Sequence, residues 1–160
     1  MNQEDLKSVL HYDPITGLFR WRFGSRGGLP WRQAGTLNGR KYVQVGINKK
    51  LHLAHRLAWL YTHGEWPSAE VDHVNGKTDD NRLCNLRIAN RSQNSQNKRK
   101  PQSNNKSGFL GVIYWWRTKT WKAQICVNGK NTSLGYFKTP EQAHQAYLEA
   151  KRKLHSHCVI

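Results

Sequence analysis

Short segments in the first part of the chain alternate between hydrophobic and polar residues, as half-buried strands do. Residues 18–23 and 41–47 show this period of two, whereas helical spacing of apolar residues predicts helices over 4–10 and 54–63. Gly64 is predicted to end the second helix, because glycine is the usual residue just beyond a helix C-terminus. The first 67 residues are therefore predicted to be rich in strands.

The central part of the chain, residues 68–100, combines two short strands with a polar helix. Residues 70–74 and 85–89 are predicted to be strands, and residues 92–99 are predicted to be helical. The Asn75-Gly76 dipeptide is a strong turn signal directly after the first of these strands. The predicted order is therefore strand, turn, strand and helix.

Three strands are predicted in the third part of the chain, over 109–115, 120–127 and 132–136. The Asn128-Gly129 dipeptide favours a tight hairpin between the last two strands, because both residue types accept a positive φ. Three strands and one packed helix are sufficient for a small module.

The packed helix is predicted to begin after Thr139, with Pro140 in its first position and Gln142 as the capping partner. Its apolar stripe is predicted to consist of Ala143, Ala146, Tyr147, Ala150 and Leu154. A basic and polar segment over 98–106, which contains Pro101, precedes this module, and its composition predicts a linker.

Positive charge is concentrated in one stretch of the chain. The 160 residues include 26 Lys and Arg against 10 Asp and Glu, which gives a formal net charge of +16. Residues 81–140 contain no acidic residue but twelve basic ones. A focused basic region with interleaved aromatic residues favours a nucleic-acid partner, and predicts binding that weakens as salt is added.

The composition disfavours membrane, secreted and zinc-ribbon proteins. The longest unbroken apolar run is residues 57–61, too short to span a membrane, and the acidic, polar first residues are unlike a secretory signal. Cys84, Cys126 and Cys158 lie far apart without a Cys-x-x-Cys pair, which argues against disulfides and structural zinc. We therefore expect a cytoplasmic protein without a membrane partner or an evident protein partner.

The most informative constellation lies in the central part. Asp72 and His73 are adjacent, and Asn85 and Asn94 follow at spacings of twelve and nine residues. Carboxylate and amide oxygens, from Asp72 and Asn94, are ligands of hard divalent cations. The imidazole of His73 can take a proton from a water nucleophile. Together these groups are able to hydrolyse a phosphodiester bond.

A longer spaced set surrounds this constellation. It comprises residues 71–76 (Val-Asp-His-Val-Asn-Gly), 80–82 (Asp-Asn-Arg), 85–87 (Asn-Leu-Arg), Asn94 and Asn97, preceded by 55–59 (His-Arg-Leu-Ala-Trp) and 64–67 (Gly-Glu-Trp-Pro). This set resembles the HNH endonuclease motif of phage and intron-encoded homing enzymes. The resemblance implies a ββα-metal fold and cleavage of DNA.

The resemblance also implies a role for each central residue. His73 would be the general base, and Asn85 would fix the loop and orient the histidine. Asp72 and Asn94 would be ligands of one divalent cation, magnesium or manganese. The last ligand position is often histidine in the family and is Asn94 here, as in the phage homing branch. The cysteines that bind zinc in some members are absent, so no zinc is expected.

A second resemblance covers the third part. Residues 107–112, 121–125, 134–137 and 141–147 resemble, in order, the plant ethylene-response-factor (Apetala-two) DNA-binding domain. In that family the three-stranded sheet lies in the DNA major groove and the helix backs it. The resemblance therefore implies that this part holds double-stranded DNA. The chain departs from the plant pattern over 113–120, so no base preference is implied.

Candidate DNA contacts are polar or basic residues in all three parts. They are His55, Arg56, Arg82, Arg87, Asn97, Arg99, Arg117, Lys119, Lys122, Gln124 and Lys130. His55 has two open interpretations, a phosphate contact or a packed histidine. Trp121 is predicted to pack in the core, whereas Trp115 and Trp116 are candidates for stacking on sugars. The histidines near the C-terminus are expected at the surface.

The sequence as a whole predicts an α+β protein. An HNH endonuclease domain is predicted over 1–100, with a β-rich region over 1–67 and the ββα-metal core over 68–100. The linker at 101–106 leads to an ethylene-response-factor-like domain over 107–160, a three-stranded antiparallel sheet with one packed helix.

The predicted function is metal-dependent cleavage of double-stranded DNA, by a nick or a double-strand break, in the cytoplasm of a bacterial host. The enzyme is expected to be a monomer that pairs only transiently on DNA. The alternative is a non-catalytic, sequence-specific DNA-binding regulator, which would leave DNA intact in the presence of divalent metal.

Overall fold

Two compact units make up the chain, residues 1–89 and residues 90–160. A computed structural model describes residues 1–24 and 29–155. The predicted α+β class is confirmed, because helices and small antiparallel sheets occur together in this part of the chain. Segment 90–100, assigned from the sequence to the nuclease domain, is grouped with the second unit, and the predicted domain boundaries stay predictions.

Four helices and eleven strands lie within the described residues. Helices α1 to α4 are Gln3–Val9, Ala54–His63, Arg91–Gln96 and Pro140–Leu154. Strands β1 to β11 are Leu10–Asp13, Leu18–Trp21, Gln33–Ala34, Thr36–Leu37, Val43–Ile47, Lys50–Leu53, Glu70–His73, Leu86–Ala89, Val112–Trp115, Thr120–Val127 and Lys130–Phe137. None of these helices has the length and apolar character needed to cross a membrane.

Two three-stranded antiparallel sheets support the first unit, with the orders β1-β2-β3 and β4-β5-β6. The alternation over 18–23 and 41–47 predicts β2 and β5 but not β1, β3 or β4. Strands β3 and β4 have two residues each, too few to be recognised by periodicity, and β1 begins at the last residue of the helix predicted over 4–10.

Helix α2 has the bounds predicted from the sequence, and it packs on the core of the first unit. Leu57 and Leu60 are buried in one cluster with Val45 from β5. Gly64 ends the helix with φ +86°, and its N–H donates to the Leu60 carbonyl at 3.0 Å. His55, in the first turn of α2, is buried as well.

Strands β7 and β8 form a two-stranded antiparallel sheet that carries the central constellation. Val71 and Leu86 pack into the core of the first unit, which anchors both strands. Gly76 has φ +70° in the predicted turn after β7, and residues 74–85 then form a loop that ends in a 3₁₀ turn over Leu83–Asn85. The end of β7 is therefore held by its pairing with β8 and by the loop over 74–85.

The second unit contains a three-stranded antiparallel sheet, order β11-β10-β9, with α4 packed on it, as predicted. Asn128 and Gly129 have φ of +51° and +79° in the β10–β11 hairpin, the positive values that such a tight turn requires. Thr139 caps α4 by accepting a hydrogen bond from the Gln142 N–H at 3.3 Å. Sheet and helix therefore follow from local signals in the sequence.

The apolar stripe predicted for α4 is wrong at its last position. Leu154 is 48% exposed, whereas Lys151 is only 1% exposed. The Lys151 ammonium lies over the Tyr147 ring and donates to the Lys98 carbonyl at 2.5 Å, which compensates its removal from water. Helix α4 therefore buries Lys151, which is held by the distant Lys98 carbonyl, and not Leu154, which periodicity favours.

The prediction that the histidines near the C-terminus lie at the surface is wrong for His155. Its side chain is buried, and its Nε2 lies 2.9 Å from the Cys126 carbonyl oxygen of β10. His157 lies outside the described residues.

Candidate active site

Asp72 and His73 are the last two residues of β7. Asp72 lies opposite Arg87 of β8, and the Nε and Nη2 of Arg87 both donate to Asp72 Oδ2, at 3.1 and 2.9 Å. Both side chains are largely withdrawn from solvent. The cross-strand pair holds the carboxylate in one orientation.

Asn85 joins the two ends of the loop that follows β7. Its Oδ1 accepts a hydrogen bond from the Asn75 N–H at 2.9 Å, and its Nδ2 donates to the Asp80 carbonyl at 2.7 Å. The side chain is buried, so neither bond competes with water. The geometry is compatible with the loop-fixing role that the resemblance implies for Asn85, which stays a prediction.

His73 is oriented by a residue that the sequence analysis does not single out for this role. Asn81 Nδ2 donates to the Asp79 carbonyl at 3.2 Å, so its Oδ1 faces His73 Nε2, 3.3 Å away. An amide oxygen only accepts, and Nε2 therefore carries the ring proton in this arrangement. The unprotonated nitrogen of the neutral ring is then Nδ1.

A second histidine lies against the first. The rings of His55 and His73 have centroids 5.0 Å apart in an edge-to-face arrangement, and Tyr42 lies beside both. Burial lowers the pKa of His73 below its ordinary value of 6.5, a shift that Asn81 and the nearby carboxylates oppose. Burial is the larger of the two effects, so it favours a neutral imidazole at the end of β7 at neutral pH.

The histidine pair predicts a pH dependence of stability. Burial, together with the positive charges of His73 and Arg56, lowers the pKa of His55 to about 4. The unfolded chain therefore binds more protons between pH 6.5 and 4, and stability falls as pH drops through this window. From pH 7 to pH 5 we expect His55 to account for a loss of about 2 kcal/mol, measured by urea unfolding.

The variant His55→Leu is the comparison for this prediction. It cannot take up a proton, so its unfolding free energy should change less between pH 7 and pH 5 than that of the parent. The carboxylates with lowered pKa, Asp13 and Asp80, lose their contribution only below this range. Equal pH slopes for parent and variant would contradict the assignment.

The candidate DNA contacts of the first unit have partners within that unit. Arg82 Nη2 pairs with Asp80 Oδ2 at 2.7 Å, which helps to hold the pKa of that carboxyl well below its usual range. The guanidinium of Arg56 lies over the Trp66 ring at 6.0 Å. Arg87 holds Asp72, as described, and His55 is the packed histidine of the pair. Their contacts to DNA stay predictions.

The candidate contacts of the second unit are mostly exposed. Arg99, Arg117, Lys119 and Lys130 are exposed, whereas Asn97 is buried at the end of α3. Lys122 lies over the Trp115 ring at 5.3 Å, on the face of the sheet opposite α4. Gln124 follows a β-bulge at Ala123, and its backbone N–H donates to the Gly111 carbonyl at 2.9 Å. Contacts to DNA stay predictions here too.

Residues 52–96 match the HNH endonuclease family model. The matched segment begins in β6 and ends with α3, so it contains Asp72, His73, Asn85 and Asn94. Protein 3.8 of Escherichia phage T7 is 31% identical over 77 residues, which cover 48% of this chain and 63% of that protein. The chain therefore spans less than two thirds of this relative, and no solved structure matches significantly.

HNH nucleases generally use a divalent metal ion, and the donor chemistry of the matched segment fits one. Asp72 offers a carboxylate, and Asn94, on α3 of the second unit, offers an amide oxygen. Oxygen donors of this kind suit magnesium or manganese, with remaining positions for water and phosphate. Within residues 1–24 and 29–155, no group of three or more His, Cys, Asp or Glu side chains could hold a metal.

Two residues of the site could not be found by motif spacing alone. Asn81 belongs to the Asp-Asn-Arg triplet of the resemblance, but its contact with His73 depends on the path of the loop. Tyr42 precedes β5 and reaches both histidines from a different sheet. Neither contact can be inferred from the sequence, because each depends on how the chain folds.

Proposed function

We propose that the chain is a metal-dependent HNH endonuclease of the homing type, which hydrolyses phosphodiester bonds in double-stranded DNA. The observation that carries the proposal is the imidazole of His73, held by Asn81 at the end of β7 and next in sequence to Asp72, within a segment that matches the HNH endonuclease family. Such a combination of base and carboxylate is what metal-assisted hydrolysis requires.

His73 acts as the general base in this proposal. Its Nε2–H donates to Asn81, so Nδ1 accepts a proton from the attacking water. Asn81 and Asn85 keep the ring and the loop in place, which spares reorganisation during the reaction. Asp72 and Asn94 would hold one magnesium or manganese ion. When bound, that cation would polarise the phosphate and stabilise charge on the leaving oxygen.

The second unit binds duplex DNA in this proposal, as the resemblance to the ethylene-response-factor domain implies. The sheet face opposite α4 presents Lys122 together with aromatic rings, Trp115 and Tyr136, whose centroids are 6.1 Å apart. No acidic residue occurs in the sequence over 81–140, so the field around this face attracts phosphates. The enzyme acts as a monomer, pairing transiently on DNA, in the cytoplasm of a bacterial host.

The same face would equally serve a non-catalytic, sequence-specific regulator, the alternative class. The two are distinguished with supercoiled plasmid, incubated with magnesium and, as a control, with chelator. The proposed enzyme converts the plasmid to open circles or linear DNA with magnesium only, and Asp72→Asn shifts the magnesium requirement upward. The regulator binds the plasmid under both conditions and leaves it intact.

Replacement of Asn81 tests how His73 is held. In Asn81→Ala the ring loses the acceptor that fixes its tautomer, so the nicking rate should fall about tenfold or more, while DNA affinity stays the same. Asn81→Asp keeps an acceptor facing Nε2 and should retain more activity than Asn81→Ala. The rate constant and Kd are measured separately, and equal rates for Asn81→Ala and parent would remove Asn81 from the mechanism.

A further inference from the structure

A cavity of about 830 Å³ lies in the second unit. One wall is formed by the end of α3 and the segment 98–107, and the other by the start of β9, by neighbouring positions of β10 and β11 and by the end of α4. Its volume is in the range of small-molecule and cofactor sites. All of the described residues that line it belong to the second unit.

Strand β9 is shorter than β10, and the cavity is lined by Gln124 and Cys126, two positions of β10 beyond its pairing with β9. Strand β9 covers only Thr120–Ala123 of β10, and β10 continues past a bulge to Val127. The segment 98–107 lies in this region and is fixed from inside the unit. Lys151 of α4 donates to the Lys98 carbonyl, and Ser107 Oγ donates to the Val112 carbonyl at 2.8 Å. Residues of the predicted linker, 101–106, therefore form part of one wall of the cavity.

The walls combine positive charge with aromatic rings. Lys98, Lys100 and Lys106 line the cavity, and Tyr114 and Trp116 lie at the end of β9 with their side chains half or more exposed. None of the described residues that line it is Asp or Glu. Lysines without carboxylates favour an anion, and accessible rings favour a flat partner that can stack.

Two polar atoms of lining residues are buried without a hydrogen-bond partner among the described residues. They are the Oε1 of Gln96 and the Nδ1 of His155, and the His155 side chain is more than nine-tenths buried. The other ring nitrogen of His155 is engaged with the Cys126 carbonyl. Buried polar atoms are nearly always satisfied in native proteins, so this pair can accept hydrogen bonds from a ligand in the cavity.

We propose that this cavity binds one unstacked nucleotide of a DNA strand. The base stacks on Trp116 and Tyr114, the lysines of segment 98–107 hold the flanking phosphates, and the polar edge of the base faces the unsatisfied atoms of Gln96 and His155. The proposal rests on the proposed function only in taking DNA as the partner. It assigns a second group of DNA-binding residues, which includes neither His73 nor Lys122, Trp115 and Tyr136, although Gln124 of the same sheet lines the cavity.

The test uses the full chain with chelator present, so that no cleavage occurs. Two fluorescent decamers are titrated, one of thymidine and one abasic, which carry the same phosphates. The parent should bind the thymidine decamer about tenfold more tightly, because stacking requires a base. Trp116→Ala should reduce this ratio towards one, and Trp116→Phe, which keeps a ring, should restore most of it.

A second pair of variants tests the phosphate contacts. Lys100→Ala/Lys106→Ala should weaken both decamers alike and reduce the slope of log affinity against log salt by about 1.4, or 0.7 for each lost contact. Lys138→Ala/Lys153→Ala removes the same charge from exposed positions outside the cavity and should keep the slope.

Three results would overturn the inference: equal affinity of the parent for both decamers, an unchanged ratio in Trp116→Ala, or equal slopes for the two lysine pairs. The outcome is independent of cleavage. If the base preference follows Trp116 while plasmid stays intact with magnesium, the proposed endonuclease fails and the nucleotide site stands.

Discussion

His73→Ala is expected to lose plasmid nicking by about a hundredfold to ten-thousandfold while it keeps the affinity of the parent for DNA. A general base usually contributes a factor of this size, and the alanine variant leaves no group at the end of β7 to take the proton of the attacking water. Affinity should persist, because the basic and aromatic surface proposed to hold DNA lies in the second unit. Initial nicking rates with magnesium and Kd with chelator are measured on the same preparations.

His63→Ala is the matched control, because His63 is an exposed histidine at the end of α2, stacked on Trp59 and outside the proposed site. It should nick plasmid at the rate of the parent. If His73→Ala cuts as fast as His63→Ala, the assignment of the base is wrong, even if the protein is a nuclease.

Gly17→Ala is expected to have the largest effect on stability. Gly17 has φ +75°, and a Cβ there would lie 2.5 Å from the backbone nitrogen of Arg82 and 2.6 Å from the carbonyl carbon of Asn81. Backbone atoms cannot move aside as a flexible side chain does. Strained φ and overlap together should cost about 3 kcal/mol. The melting temperature of the first unit should fall by on the order of 10 °C or more.

The same substitution should impair nicking beyond its effect on folding, since the loop it displaces carries Asn81. That loop is otherwise fixed on the turn around Gly17: the Tyr12 hydroxyl donates to the Asn81 carbonyl at 2.7 Å, and the Leu83 N–H donates to the Pro14 carbonyl at 3.1 Å.

Gly39→Ala is the control for Gly17→Ala, because a Cβ at Gly39 meets nothing within 4 Å and its φ is not in the left-handed region. It should melt within about 2–4 °C of the parent, as surface substitutions usually do. Equal melting temperatures for the two variants would show that the Asn81–Arg82 loop does not pack on Gly17 as described.

Elements with strong local signals are predicted well from the sequence. The bounds of α2 follow from its apolar spacing and Gly64, and the last hairpin follows from Asn128-Gly129. Burial of Lys151 could not be predicted, because a lysine in an apolar stripe is normally exposed. Its place in the interior depends on the Lys98 carbonyl, fifty-three residues away in the chain, and periodicity carries no information about such a partner.

The candidate site likewise contains residues that the sequence indicates and contacts that only the folded structure reveals. Asp72, His73 and Asn85 can be proposed from their spacing in the sequence. Asp72 and His73 are consecutive residues of β7, and the loop that follows β7 brings Asn85 back to Asn75. The contact of His73 with Asn81 and its packing against His55 depend on loop path and helix position. Those are tertiary properties, so the tautomer of the proposed base could be assigned only from coordinates.

Nicking of supercoiled plasmid by the purified full chain tests the central claim most directly. With magnesium, the parent is predicted to convert supercoiled plasmid to open circles, and with chelator it should bind the plasmid without cutting it. Plasmid that stays supercoiled across a titration of magnesium and manganese, under conditions where the protein is bound, would contradict the endonuclease and leave a DNA-binding regulator.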